Sequence, residues 1–163
     1  MGNVIGSRGQ PRDRWVHLSN AATAVLYSVI VIAGTDLAST PWQRRLISWI
    51  AGRDQAIFGR GAVDLELEDI GWSRAEFAAQ QGFLRDVLAT AATGHRWDVL
   101  DYRPSREILI EFLARVDSLV RELPPSVADE PTDRYWPVDD PVDRCPTHQV
   151  LLHPGGCLIC HDR

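Results

Sequence analysis

Apolar positions along the chain fall into blocks separated by glycine- and proline-marked polar stretches, and most of the blocks repeat at helical spacing. The first, Ala21 to Gly34, is apolar on nearly every face (Ala21, Val25, Leu26, Val29, Ile30, Ile32); Ser19 or Asn20 can cap it and Gly34 can end it. A helix without a polar face belongs at the centre of a fold. Thr40-Pro41-Trp42-Gln43 then joins an N-cap, a proline at the first helical position and a glutamine placed to close a capping box. It predicts a helix running to Gly52, with Trp42, Leu46, Trp49 and Ile50 turned inward. Ser73-Arg74-Ala75-Glu76 reads as a second capping box, with Trp72 placed to pack on Phe77 as a hydrophobic staple. The helix it opens runs from Arg74 to about Thr93, lined by Phe77, Leu84, Leu88 and Ala91, with Gly94 as its stop. Ser105 caps a fourth, carrying Ile108, Leu109, Phe112, Val116, Leu119 and Val120 at helical spacing until Pro124-Pro125.

Between Gly61 and Gly71 the period changes to two, since Val63, Leu65 and Leu67 alternate with Asp64, Glu66 and Glu68. With no second strand legible to pair with it, this stretch is expected to be an extended segment or irregular turn lying on the helices. Four helices that must bury their stripes predict an all-α fold, a small bundle with a C-terminal metal-bound hairpin. The expected organisation is a helical bundle over 1–123, a Pro/Asp-rich linker over 124–144 and a metal-binding tail over 145–163. Tyr135 and Trp136 sit in the linker, where they can fasten it back onto the bundle or stay exposed.

Composition changes this picture little. A chain of 163 residues with 45% apolar content closes one core. All 17 basic residues are arginine, a pattern of GC-rich coding to which no function is attached. The net charge of -5 is uneven: residues 1–123 carry 14 arginines against 15 acids, residues 124–163 three against seven. A balanced body and an acidic tail argue against broad capture of nucleic acid, which needs a basic face. Arg8, Arg12 and Arg14 ahead of the first apolar block imitate a signal sequence, but the block is short for a membrane span of roughly 20 residues and lacks a good small-residue cleavage site. It is read as a buried core helix, and a cytoplasmic protein without a membrane anchor is expected.

The candidate chemistry is concentrated at the end of the chain. All three cysteines lie in the last 19 residues, an odd number for a disulfide framework. Cys145-Pro-Thr-His148 and Cys157-Leu-Ile-Cys160 are two ligand pairs, each with a two-residue gap that lets a tight turn aim both side chains at one ion. Three sulfurs and an imidazole suit tetrahedral zinc, so Cys145, His148, Cys157 and Cys160 are the predicted ligands of one structural Zn2+, with His153 and His161 as spare imidazoles. The Cys-Pro-x-His opening and Gly-Gly-Cys-x-x-Cys closing resemble zinc-ribbon knuckles, with one Cys replaced by His and an unusually short span. That resemblance covers some 16 residues and implies a metal-stapled hairpin, not an activity. Cys157-Leu-Ile-Cys160-His161 also fits a c-type haem attachment motif. Haem would need export, an axial partner and an apolar pocket, and would leave Cys145 and His148 unexplained. A redox pair at Cys157 and Cys160 is a third reading.

Elsewhere the signals are thin. His95, Asp98 and Asp101 gather in a loop beside Trp97 and Tyr102 and would line the cleft if the protein were an enzyme. The acids Asp64, Glu66, Glu68 and Asp69 form a run of the kind that is usually a solvated face. Six tryptophans are read as core closures unless several are exposed together. No phosphate-binding glycine loop, nucleophile elbow or His-Glu-x-x-His helix is present. The function expected is a non-enzymatic protein that binds a protein partner, as a regulator, adaptor or toxin-neutralising protein does. Nucleic-acid binding through the zinc module, aided by Arg44, Arg45, Arg53 and Arg60, is the alternative, and an enzyme at His95/Asp98/Asp101 the third.

Overall fold

A computed structural model describes residues 2–56 and 59–160. Its elements in chain order are β1 (Gly2–Gly6), β2 (Val16–Ser19), α1 (Asn20–Leu37), α2 (Pro41–Ala51), β3 (Leu65–Glu66), α3 (Phe77–Ala92) and α4 (Arg106–Arg121). The four expected helices are present, but the fold is not purely α. A three-stranded sheet of order β2-β1-β3 joins them, β1 and β2 antiparallel and β1 and β3 parallel. The segment expected to lie unpaired on the helices thus finds a partner at the opposite end of the sequence, where Ile5 stands opposite Leu65 and Gly6 opposite Glu66.

Burial follows from the sequence patterns. Helix α1 is long and apolar enough by composition to span a membrane, yet 61% of it is buried inside the fold, with α2 and α3 packed against it. Ser19 caps it by accepting from the Ala22 amide. Gly34 does not end the helix, which continues to Leu37; it is the point of closest approach to α2, where a Cβ would run into the Ile47 side chain. The Thr40 capping box of α2 forms as expected, with Thr40 Oγ1 accepting from Gln43 and the Gln43 side chain accepting from Thr40. The second box does not form: α3 begins at Phe77, and the Ser73 amide donates instead to Gln80 Oε1 at 2.8 Å. The staple survives without its box, since Trp72 meets Phe77 edge-on with centroids 5.4 Å apart. Ser105 stands at the N-cap of α4 without a side-chain capping bond.

Five of the six tryptophans and two phenylalanines close the helix ends. Trp42 touches Trp72, Phe83 and Trp136, and Trp136 also touches Trp49 at 5.8 Å. Trp97 carries Arg106 over its ring. Trp136 therefore fastens residues 133–140 onto α2, helped by Asp133, which accepts from the Trp49 indole at 2.8 Å and pairs with Arg53 at 3.3 Å. Arg44 grips Asp140 through two bonds of 2.8 Å. Tyr135, by contrast, stays largely exposed. One apolar cluster runs through all of these elements and includes Val150, Leu151, Leu158 and Ile159 from the end of the chain.

Candidate metal centre

The segment 143–160 is two tight turns set back to back. In the first, the Cys145 amide donates to the Val150 carbonyl and the Gln149 amide to the Cys145 carbonyl, both at 2.8 Å. The chain closes this turn by placing Gln149 in the left-handed region at φ 54°. In the second, His153 and Gly156 exchange backbone bonds, with Gly156 at φ 118°. The first turn brings Cys145 and His148 to one side, and a further turn after Gly156, with the amides of Ile159 and Cys160 aimed at the Cys157 sulfur, brings Cys157 and Cys160 together.

Cys145, His148, Cys157 and Cys160 converge there, their ligand atoms all within 4.8 Å of one another, a group that can hold a metal ion. His148 is the hub: its Nδ1 lies 3.7 Å from the Cys145 and Cys157 sulfurs and 3.4 Å from that of Cys160. Cys145 and Cys160 are 3.7 Å apart. The cysteines are free thiols, those of Cys145 and Cys157 buried and that of Cys160 exposed. Burial pushes the Cys145 thiol up, but the amides of His148 and Thr147 point at its sulfur and win, bringing it to about 6. Cys157 goes the other way. Burial and the neighbouring Cys145 sulfur push it up to about 12, against the amides of Cys160 and Ile159. A cation placed among the three sulfurs would favour the thiolate form of each.

The cluster is bound to the helical body from below. Val150, Leu151, Leu158 and Ile159 enter the shared core. The Leu151 amide donates to Thr35 Oγ1 of α1 at 3.1 Å, and Ser48 of α2 donates to the Leu152 carbonyl at 2.9 Å. Arg96, itself in the left-handed region, donates to the His148 carbonyl at 2.9 Å and reaches Asp36 at the end of α1. Asp36 also meets His95 Nε2 at 2.7 Å and Arg144 at 3.7 Å. Burial alone would raise its carboxyl, but the bonds from His95 and Arg96 hold it below the ordinary carboxylate value. This Asp36–Arg96 strut behind His148 had no sequence signal, because its members are separated by some 50–60 residues and no motif joins them.

The other candidates take different places. His153 is buried beside the cluster and accepts from the Gly155 amide at 3.1 Å, while His161 lies outside the described residues. His95 faces Asp36, and Asp98 and Asp101 are on the surface. The acidic run is used internally: Asp64 accepts from the Val4 amide, Glu66 and Asp69 pair with Arg8, and Glu68 is buried against Ser7. Of the arginines considered for nucleic acid, Arg44 and Arg53 are engaged by Asp140 and Asp133. No protein-family model matches the chain, and neither curated proteins nor solved structures give a significant match, so the reading of the centre rests on its own geometry.

Proposed function

We propose that Cys145, His148, Cys157 and Cys160 hold one zinc ion as a structural centre, in a cytoplasmic protein that works by binding a protein partner and not by catalysis. The observation that carries the metal reading is the spacing of the four ligand atoms. Zinc bonds of about 2.3 Å to sulfur and about 2.0 Å to nitrogen, arranged tetrahedrally, put sulfurs about 3.8 Å apart and sulfur and nitrogen about 3.6 Å apart. Four of the six separations here are 3.4–3.7 Å, and all six lie within 4.8 Å. When bound, the ion supplies a fixed cross-link between the two turns. Four protein ligands leave it no open position for a substrate, which supports a structural role. Free thiols agree with a reducing compartment.

A protein partner is favoured over nucleic acid because two of the four arginines that would form a phosphate-binding face, Arg44 and Arg53, are tied to Asp140 and Asp133. The test of the metal reading is elemental analysis of the purified chain with an absorption spectrum of the same sample. One zinc per chain and no visible band supports the centre; iron with a haem spectrum overturns it. For the partner class, fluorescence anisotropy of labelled duplex DNA at about 50 and 200 mM salt is expected to show no salt-sensitive binding. A steep salt dependence would replace the protein partner with nucleic acid.

A further inference from the structure

A cavity of about 500 Å³ lies between the C-terminal end of α2, Gln55 and Arg60, the strap carrying Tyr135 and the second turn of the metal segment. Its size is that of small-molecule sites. Its lining combines three features. Trp49 and Tyr135 supply aromatic surface, and Pro137 and Pro154 extend the apolar wall. Arg53 and Arg60 supply positive groups, and His153 a buried imidazole. Among the described residues no aspartate or glutamate lines it, in a chain whose net charge is -5.

The two arginines differ in what they have left to offer. Arg53 stacks over the Trp49 ring at 4.7 Å and pairs with Asp133, while its Nε is buried with no hydrogen-bond partner among the described residues. Arg60 is exposed and makes no ion pair among the described residues. Its position is set by the backbone: the Gln55 amide donates to the Gly61 carbonyl at 2.8 Å and the Arg60 amide to the Gln55 carbonyl at 3.2 Å. Gly59 and Gly61, both at φ 70°, make the reversal on either side of it. An exposed guanidinium at the rim of an aromatic cavity is suited to receive an anion with a flat apolar body.

We infer that this cavity binds a small planar organic anion, an aromatic ring bearing a carboxylate or phosphate, with Arg60 receiving the charge, Tyr135 receiving the ring, and the Arg53–Trp49 stack forming the wall behind it. The inference stands apart from the identity of the metal, although the Pro154–Gly155 wall belongs to the metal segment.

Isothermal titration calorimetry of the full chain with 2-naphthoate, and with the uncharged 2-naphthamide, tests it. Saturable binding of the naphthoate is expected, with the amide at least about tenfold weaker, the size of one charge-assisted bond. Arg60→Gln should weaken naphthoate about tenfold, and Tyr135→Ala severalfold, with circular dichroism and metal content unchanged for both. Both side chains are exposed, so neither change threatens the fold. No saturable binding, equal affinity for the amide, or an Arg60→Gln protein that binds as well as the parent overturns the inference. Zinc is measured on the same samples. A chain that holds zinc but ignores naphthoate removes the cavity and leaves the centre standing, whereas zinc-free chain that binds naphthoate through Arg60 keeps the cavity and removes the centre.

Discussion

The two ends of α1 are held by opposite means. At its start, the sheet supplies a backbone ladder four residues long between β1 and β2, and Asn3 reaches Asn20 at 2.6 Å and Thr23 at 3.2 Å. At its finish, segment 143–160 offers isolated bridges at Arg144–Leu151 and His153–Gly156 in place of a ladder, with single bonds to Thr35, Ser48 and Arg96. Both segments bury comparable apolar side chains, Ile5, Val16 and Leu18 at one end and Val150, Leu151 and Leu158 at the other. The difference is therefore in what fixes the backbone. A ladder orders a chain by repeated hydrogen bonds, whereas two turns without one need a cross-link between side chains to offset their conformational entropy. Four converging ligands at the weakly laddered end are what that requirement predicts.

The largest expected effect tests that dependence. Cys160→Ser should lower Tm by roughly 10–20 °C, the size of a ~5 kcal/mol loss in a chain of this length, while helical circular dichroism at 20 °C is retained. An unchanged Tm would show that the turns hold without a metal. Next in size, Leu151→Ala and Leu18→Ala should each cost about 2–4 kcal/mol in denaturant unfolding monitored by tryptophan fluorescence. A normal midpoint for Leu151→Ala beside a shifted one for Leu18→Ala would make residues 145–163 a separate unit, as the division into bundle, linker and tail supposes. Thr35→Val removes the acceptor of the Leu151 amide and should cost about 1–3 kcal/mol, read the same way. Because Asn3 also bonds Asn20, Thr23→Val at the other end should cost less. The smallest effect is that of Asp36. Its folded carboxyl is depressed, so its contribution is present above the ordinary carboxylate value and is lost as pH falls through the lower folded one. At under about 1 kcal/mol for a partly exposed group, it should appear as a slightly smaller acid destabilisation below pH 4 in Asp36→Asn than in the parent.

The helices were legible because each carries its own local instructions. Thr40, Pro41 and Gln43 act within four residues of one another, and α1 needs only its run of aliphatics. The sheet was not, because β1 is five residues with glycine at both ends and β3 is two. The period-two signal at Val63, Leu65 and Leu67 was real, but its partner lies 60 residues upstream, and pairing at that distance leaves no mark in a local window. Ser73 shows the converse: its box is well formed as a motif, yet tertiary packing gives its amide to Gln80. The Cys/His grouping could be read from spacing since turns enforce it, whereas the cavity draws Trp49, Arg60, Tyr135 and His153 from four segments that only the fold assembles.

The bond from Leu151 to Thr35 spans 116 residues, and the Leu158 side chain fills the same core. During synthesis the central helix emerges early, while the aliphatics that cover its far end are made more than a hundred residues later. Until then the end of the helix at Thr35 lacks that cover, and exposed apolar surface of this kind is the condition under which nascent chains aggregate or recruit chaperones. The order of synthesis thus delivers these turns long after the helix they cover, and the acquisition of metal there would serve as a latch.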